Sequence, residues 1–196
     1  MSKPLSAANL KSFGMTIQLV EADIDQIEHD HQVALRPGVP EDADTTYYPQ
    51  FDAKVRSDAV SMSHHYQLFY CLEKTIRSLI AETLEDSKGS NWWDESGVVP
   101  EKIHNDVASR IKREVDSGIT IRSELSIDYT NFGELGEIIK ANWDIFGGIF
   151  SSVRAMERVL ANLNMLRGPI AHCSVLAEDE VVRLELSLRD WFRMME

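Results

Sequence analysis

The stretch HYQLFYCLEKTIRSLI, residues 65–80, decides the class of fold because its apolar residues recur at helical spacing. The apolar residues at this spacing are Leu68, Leu72, Ile76, Leu79, Ile80 and, four positions after the end of the stretch, Leu84. Steps of three and four residues place these side chains on one side of a helix. We therefore predict an amphipathic helix whose apolar side enters a hydrophobic core.

The segment after this helix contains a loop, a second helix and a stretch without a clear pattern. The loop SKGSNWWDESG carries two tryptophans, and Pro100 then suits the first turn of a helix. Gly118 is expected to end that helix, whose apolar residues are Ile103, Val107, Ile111 and Val115. Residues 119–130 include the β-branched Ile-Thr-Ile but no partner strand, so we assign them to no element.

Three more helices complete the prediction. A short one spans Phe132 to Lys140, and a long one follows whose apolar residues run from Phe146 to Leu163. The last begins at the acidic residues 178–180, which suit the positive end of a helix dipole. Its inward side is predicted to hold Val181, Leu184, Leu188, Trp191 and Phe192. The fold class is therefore all-α, and the simplest architecture is a helical bundle.

The N-terminal part of the chain differs in character from the rest. Apolar residues at spacings of three and four between positions 10 and 27 predict an extra N-terminal helix, although MTIQLV within it could form a short strand. Residues 36–50 hold three prolines and three acidic residues, a composition typical of a linker. We divide the chain into an N-terminal helical extension and linker, residues 1–45, and a main domain, residues 46–196.

The composition is that of a globular protein with an acidic surface. Of 196 residues, 43% are hydrophobic and 27% are charged, and the net charge is −12. No apolar run approaches the roughly 20 residues of a membrane span, and the first residues lack the apolar block of a secretory signal. We therefore expect a cytoplasmic protein without membrane contact. The negative charge argues against broad nucleic-acid binding, but it allows a small basic pocket that holds nucleic acid locally.

The stretch LNMLRGPIAHC, residues 163–173, places Arg167 and His172 on either side of Gly168-Pro169. In a straight helix, side chains five positions apart point about 140° away from each other. Glycine and proline favour a break, so we expect the helix to bend or restart and turn both side chains toward one cleft. Free N–H groups after Pro169, a guanidinium and an imidazole would together suit a phosphate. The alternative is an ordinary helix end, with the histidine bonded to a carbonyl in the core.

The R-x4-H spacing between the last two long helices resembles the signature of HEPN domains, an all-α family rich in ribonucleases. Further segments, in order, are similar to the Swt1-type members of that family. They are YYPQF at 47–51, HYQLFYCLEKTIRSLI at 65–80, Trp-Trp at 92–93, Val-Pro at 99–100, YTNFGELGEIIKANWDIF at 129–146 and EDEVVRLELSLRDWF at 178–192. The resemblance thus covers residues 47–192, about three quarters of the chain, and leaves the N-terminal extension outside.

The resemblance implies an HEPN-like bundle and a metal-independent endoribonuclease that needs no cofactor. In that pattern the 2′-OH of the RNA attacks the adjacent phosphate, while Arg167 stabilises the developing charge and His172 moves a proton. It also implies a homodimer whose two motifs face each other, and a toxin-like or antiviral-defence role. Gly168 departs from the pattern, because a polar residue, commonly asparagine, often follows the arginine. That departure puts the activity in question.

Two other charged residues are supporting candidates for the site. Glu73 could hold either motif residue, or it could pair with Arg77 four positions on along the same helix. Arg158 lies one helical turn after Arg154, and the two could form a row that contacts RNA or could simply face solvent.

Several weaker patterns favour structural roles. The run Glu28-His29-Asp30-His31 has the composition of a metal site, but only Glu28 and His31 would share a helix face, and catalytic zinc usually needs three protein ligands. We therefore expect no metal. Trp92 and Trp93 could stack on bases, although a tryptophan that closes over a bundle is the commoner arrangement.

Two functions other than an active ribonuclease remain open at this point. The first is a non-catalytic HEPN module that binds RNA or scaffolds a complex, which Gly168 and the net charge favour. The second is an interaction protein in which residues 1–35 bind a regulatory protein. The competing interpretation of those residues is that they pack on the bundle.

Overall fold

The computed structural model describes residues 50–195, and within this range the chain is helical with no strand. The predicted all-α class is confirmed. The six α-helices of this part are α1 Ala53–Lys88, α2 Glu101–Ser117, α3 Phe132–Ala141, α4 Trp143–Phe146, α5 Val153–Ala171 and α6 Glu178–Arg193. The predicted N-terminal helix, nearly all of the linker and the proposed partner-binding segment 1–35 lie outside the described residues.

The core forms where α1, α3, α5 and α6 pack together. Helix α1 contacts α3, α4 and α5, and α5 also contacts α3 and α6. The buried residues of α1 follow the predicted stripe from its middle onward, and they are Phe69, Leu72, Ile76, Ile80 and Leu84. Burying a side chain of this size contributes on the order of 1.5–3 kcal/mol. The second half of α1 is therefore the central element of the bundle, while its first half has few buried residues.

Helices α2 and α3 begin and end close to the predicted positions, for identifiable reasons. Pro100 precedes α2, and Gly118 ends it with a φ of 70°, a left-handed conformation that glycine adopts without steric cost. At the start of α3, the Glu134 carboxylate accepts a hydrogen bond from the backbone N–H of Asn131 at 2.7 Å. The segment between the helices forms a 3-10 turn, Ser126–Tyr129, which no apolar pattern had indicated.

The predicted long helix with apolar residues from Phe146 to Leu163 is two elements in the structure. Helix α4 ends at Phe146, and α5 begins only at Val153, where the Ser152 hydroxyl caps its first turn. The apolar pattern continued across the gap because Phe146 lies in the core and Ile149, the next residue of the pattern, packs against it. Two further inward assignments are wrong, since Val115 and Phe192 are more than half exposed.

The expected break at Gly168-Pro169 is also wrong, because α5 continues through both residues to Ala171. Proline in a helix removes one hydrogen bond, to the carbonyl four residues earlier, and crowds the preceding turn. Here Pro169 stands in the last turn of α5 rather than in the first turn of a new helix. The free N–H groups expected to follow it therefore do not form an anion site.

Candidate functional site

A cavity of about 410 Å³ lies between α1, the segment that precedes α3 and the end of α5. Its charged lining residues are Glu73, Lys74, Arg77, Arg122, Asp128 and Arg167. Four basic and two acidic side chains give this lining a net charge of +2, whereas the whole chain carries −12. The cavity is therefore a locally basic place on an acidic protein, which is where an anionic ligand would bind.

Glu73 is the central residue of this cavity because it joins two arginines. Its Oε1 accepts a hydrogen bond from Nη2 of Arg77 at 2.5 Å, and its Oε2 accepts one from Nε of Arg167 at 3.1 Å. The side chains of Glu73 and Arg77 are largely buried, so the carboxylate is held in place. Both partners considered from the sequence, Arg77 and one motif residue, are bound at the same time.

Two further contacts fix the polar side of α1 against the segment that precedes α3. Nη2 of Arg77 donates to the carbonyl of Thr130 at 2.8 Å, and Nζ of Lys74 pairs with Oδ1 of Asp128 at 3.2 Å. Partial burial raises the pKa of Asp128, but hydrogen bonds from Ser123 and Lys74 outweigh it, so the pKa lies below its ordinary value. Asp128 therefore stays ionised and neutralises Lys74.

Arg122 forms the outer edge of the cavity. Its guanidinium binds the carboxylate of Glu114, with Nε at 2.6 Å from Oε1, and lies over the ring of Tyr129 at 5.0 Å from the centroid. The side chain is more than half exposed. Glu114 thus partly neutralises the positive charge of Arg122, and the contact with the Tyr129 ring helps to fix the position of the guanidinium.

Arg167 is the basic group of the cavity with the most unused hydrogen-bonding capacity. Its Nε engages Glu73, and its two Nη groups donate no hydrogen bond within the part of the chain that the structure describes. The side chain is 39% exposed. A guanidinium held at Nε keeps its outer fork free, and that fork matches two oxygens of a phosphate.

His172 lies outside this cavity, at the residue that follows the last turn of α5. The backbone reverses at Cys173, whose φ is 58°, and the N–H of Ser174 donates to the carbonyl of Pro169 at 2.9 Å. The imidazole is exposed, and its ring forms no hydrogen bond among residues 50–195. The helix continues to Ala171, so positions 167 and 172 point about 140° apart around its axis, and His172 does not line the cavity that holds Arg167.

A model of the family described as Swt1-like HEPN matches residues 67–196, about two thirds of the chain. The chain belongs to the Swt1-like HEPN family. Separate comparisons with curated proteins and with solved structures find no match. The matched range contains most of α1 and all of the helices that follow it. HEPN domains of this kind are generally linked to ribonuclease activity.

The other candidate residues occupy separate parts of the HEPN domain. Arg158 is exposed and lines a different cavity, of about 230 Å³, with Asp190 and Arg193 from α6. Trp92 is buried and Trp93 is partly buried against the core, so both tryptophans close over the bundle. Glu28 and His31 lie outside the described residues, and no cluster of metal-ligating residues occurs within residues 50–195. None of the described helices is long and apolar enough to cross a membrane.

Sequence reasoning missed the two tyrosines that line the cavity together with Glu73 and Arg77. Tyr66, Tyr70, Glu73 and Arg77 follow one another at steps of four, three and four residues, which is the spacing of one helix face. This second stripe of the HEPN helix lies beside the apolar stripe. The signal was therefore present in the sequence, but helical spacing alone does not say which face borders a cavity.

Proposed function

We propose that this protein is a metal-independent endoribonuclease with a toxin-like or antiviral-defence role. It cleaves RNA at a homodimeric site that combines Arg167 and His172. The observation that carries the proposal is the free Nη fork of Arg167 in a basic cavity of an otherwise acidic chain. A chain with net charge −12 has no general attraction for RNA, so a local basic cavity indicates a specific anionic ligand.

The chemistry follows from the two side chains and the RNA itself. A base removes the proton of the 2′-OH, and the 2′ oxygen forms a bond to the adjacent phosphorus. The bond from phosphorus to the 5′ oxygen breaks, and an acid gives that oxygen a proton. The products are a 2′,3′-cyclic phosphate and a 5′-hydroxyl. His172 carries the proton in one or both transfers, because imidazole titrates near neutral pH.

Arg167 stabilises the charge that develops on the non-bridging oxygens. Its two Nη groups are the donors, and Glu73 acts as a positioning residue that holds the guanidinium through Nε. Donors that are already in place need no reorganisation when the charge develops, which is why such positioning lowers the barrier.

The proposal needs a second copy because one chain separates its two motif residues. A dimer of two-fold symmetry can bring a motif residue of one chain to the site of the other. In such a dimer His172 of one chain reaches the Arg167 cavity of the other.

The test is cleavage of total RNA and of a defined set of tRNAs by the purified full-length protein. The wild type should produce fragments with cyclic phosphate ends, and EDTA should not slow it. His172→Ala should be slower by about 100-fold or more while keeping the same thermal unfolding midpoint and dimer mass. His104→Ala, which changes another partly exposed histidine, is the matched control and should cleave like the wild type.

The second candidate function is an RNA-binding module without catalysis. Two observations favour it. Gly168 offers no polar side chain, although a Cβ added there would meet no atom within 4 Å, and His172 has no partner that orients it within residues 50–195. Intact RNA after incubation with wild type, together with measurable binding of that RNA by the protein, would establish this function in place of the enzyme.

A further inference from the structure

We propose that Tyr66 and Tyr70 form a stacking platform for an unpaired nucleobase, so that the cavity selects single-stranded RNA. This inference rests on the proposed function and deepens it, because it names the form of RNA that the Arg167 site accepts. The phosphate binds at Arg167, and the neighbouring base lies against the tyrosine rings.

The first observation is the exposure of both rings on the cavity wall. Tyr66 and Tyr70 are 57% and 58% exposed, and their centroids are 6.3 Å apart with an angle of 35° between the planes. Both line the same cavity as Arg167. Their hydroxyl groups form no hydrogen bond among the described residues. Two adjacent aromatic rings left open beside a basic group are a common arrangement for binding a base.

The second observation is the register along α1. Tyr70 precedes Glu73 by three residues, which corresponds to a rise of about 4.5 Å along the helix axis. Tyr66 lies one further turn away. Glu73 in turn holds Arg167. A nucleotide with its phosphate on the Arg167 fork can therefore place its base, or the next one, on these rings.

The third observation is the small amount of free positive charge. Lys74 is paired with Asp128 and Arg122 with Glu114, so phosphate contacts alone supply little affinity in an acidic protein. Stacking does not depend on charge and contributes about 1–3 kcal/mol for each base. Base faces are covered in a duplex, so a site that depends on stacking binds single strands in preference to double strands.

The experiment measures binding by fluorescence anisotropy, with a labelled single-stranded RNA and the full-length His172→Ala protein, which binds without cleaving. Adding Tyr66→Ala and Tyr70→Ala together should weaken binding about five-fold to 100-fold. The Phe pair, Tyr66→Phe and Tyr70→Phe, should bind within two-fold of the parent. Phe51→Ala removes an equally exposed ring outside the cavity lining and should have no effect.

Further arms separate stacking from other uses of the same surface. The Leu pair, Tyr66→Leu and Tyr70→Leu, keeps apolar area without a π face, so it should bind RNA as weakly as the Ala pair does. Leu variants that bind like the parent would point to a general apolar contact and would overturn the platform. A matched duplex should bind at least five-fold more weakly than the single strand, and equal binding would also overturn it.

The outcomes also distinguish this inference from the proposed enzyme. If wild type cleaves RNA but the Ala pair binds like its parent, the platform is wrong and the enzyme remains. If binding depends on the rings but wild type does not cleave, the platform holds on a non-catalytic module. If the parent binds neither single strands nor duplex and wild type does not cleave, both proposals fail.

Discussion

Two arginine–carboxylate clusters stand on either side of the segment that precedes α3, and they differ in how completely they are satisfied. In the first, Arg110 from α2 binds both oxygens of Glu134 at 2.7 Å. Arg110 also donates to the carbonyl of Tyr129 at 2.9 Å, and Glu134 accepts the N–H of Asn131. This cluster is closed, because both outer nitrogens of its arginine donate to the carboxylate of Glu134.

The second cluster is also built from arginines and a carboxylate, but the outer nitrogens of one arginine have no protein partner among the described residues. Arg77 reaches the carbonyl of Thr130, the residue next to Tyr129, and binds Glu73. Glu73 then holds a second arginine, Arg167, by one nitrogen only. The difference teaches that a guanidinium whose two outer nitrogens are engaged by protein groups is a structural clamp. One with its outer fork free beside a cavity is a binding group.

The largest expected effect comes from changing the open arginine. Arg167→Lys keeps the positive charge but removes the fork and the Nε contact to Glu73, so RNA cleavage should fall about 100-fold. The free energy of unfolding should change by less than about 1 kcal/mol, because the side chain is 39% exposed and makes one ion pair. Initial cleavage rates and thermal melts measure the two quantities.

The same substitution in the closed cluster provides the control. Arg110→Lys should lower the free energy of unfolding by about 2 kcal/mol, since it removes a two-pronged ion pair that is mostly buried. Cleavage per folded molecule should stay near the wild-type rate. The distinction between clamp and binding group would be wrong if both variants lowered the free energy of unfolding equally. It would also be wrong if Arg167→Lys cleaved RNA at the wild-type rate.

A smaller effect is expected at the carboxylate of the open cluster. Glu73→Gln removes the negative charge that fixes Arg167, so kcat should fall about 10-fold. The same change makes the cavity more positive, so RNA binding should become tighter rather than weaker. Single-turnover cleavage and anisotropy measured on one preparation give both numbers. A variant whose kcat is unchanged, or whose binding weakens in step with its rate, would show that Glu73 does not act by positioning.

The sequence could predict the helices of this domain where one apolar stripe decides the structure. The stripes of α2, α3 and α6 gave helices close to those observed, because burial of an amphipathic face dominates their stability. The two wrong helix boundaries have local causes. Apolar residues on both sides of Gly147-Gly148 concealed the gap before α5. Pro169 removes one hydrogen bond and crowds the preceding turn, but it stands in the final turn of α5, and the helix continues through it to Ala171.

The site could be predicted only in part, for a different reason. Arg167 and Glu73 were found from the motif and from the helix pattern, and one hydrogen bond joins them across 94 positions of sequence. Asp128 and Arg122 come from the segment 119–130, where no periodic pattern exists to place a side chain. Such residues enter a site through tertiary contacts, which spacing within one segment does not encode.

The smallest expected effect is the acid dependence that the closed cluster gives to the fold. Partial burial raises the pKa of Glu134, but hydrogen bonds from Arg110 and from the N–H of Asn131 outweigh it, so the pKa lies below its ordinary value of 4.5. A carboxylate with a lowered pKa binds fewer protons in the folded than in the unfolded state. Its contribution to stability is therefore complete above the ordinary pKa and is lost as the pH falls through the lowered one.

Glu134→Gln should remove that part of the pH dependence. Urea unfolding measured from neutral pH down to the acid limit of folding should give a flatter curve for Glu134→Gln than for the wild type. Glu124→Gln changes an exposed carboxylate that forms no ion pair among the described residues, and its curve should follow the wild type. A Glu134→Gln curve as steep as that of the wild type would mean that the closed cluster does not set the acid stability of the domain.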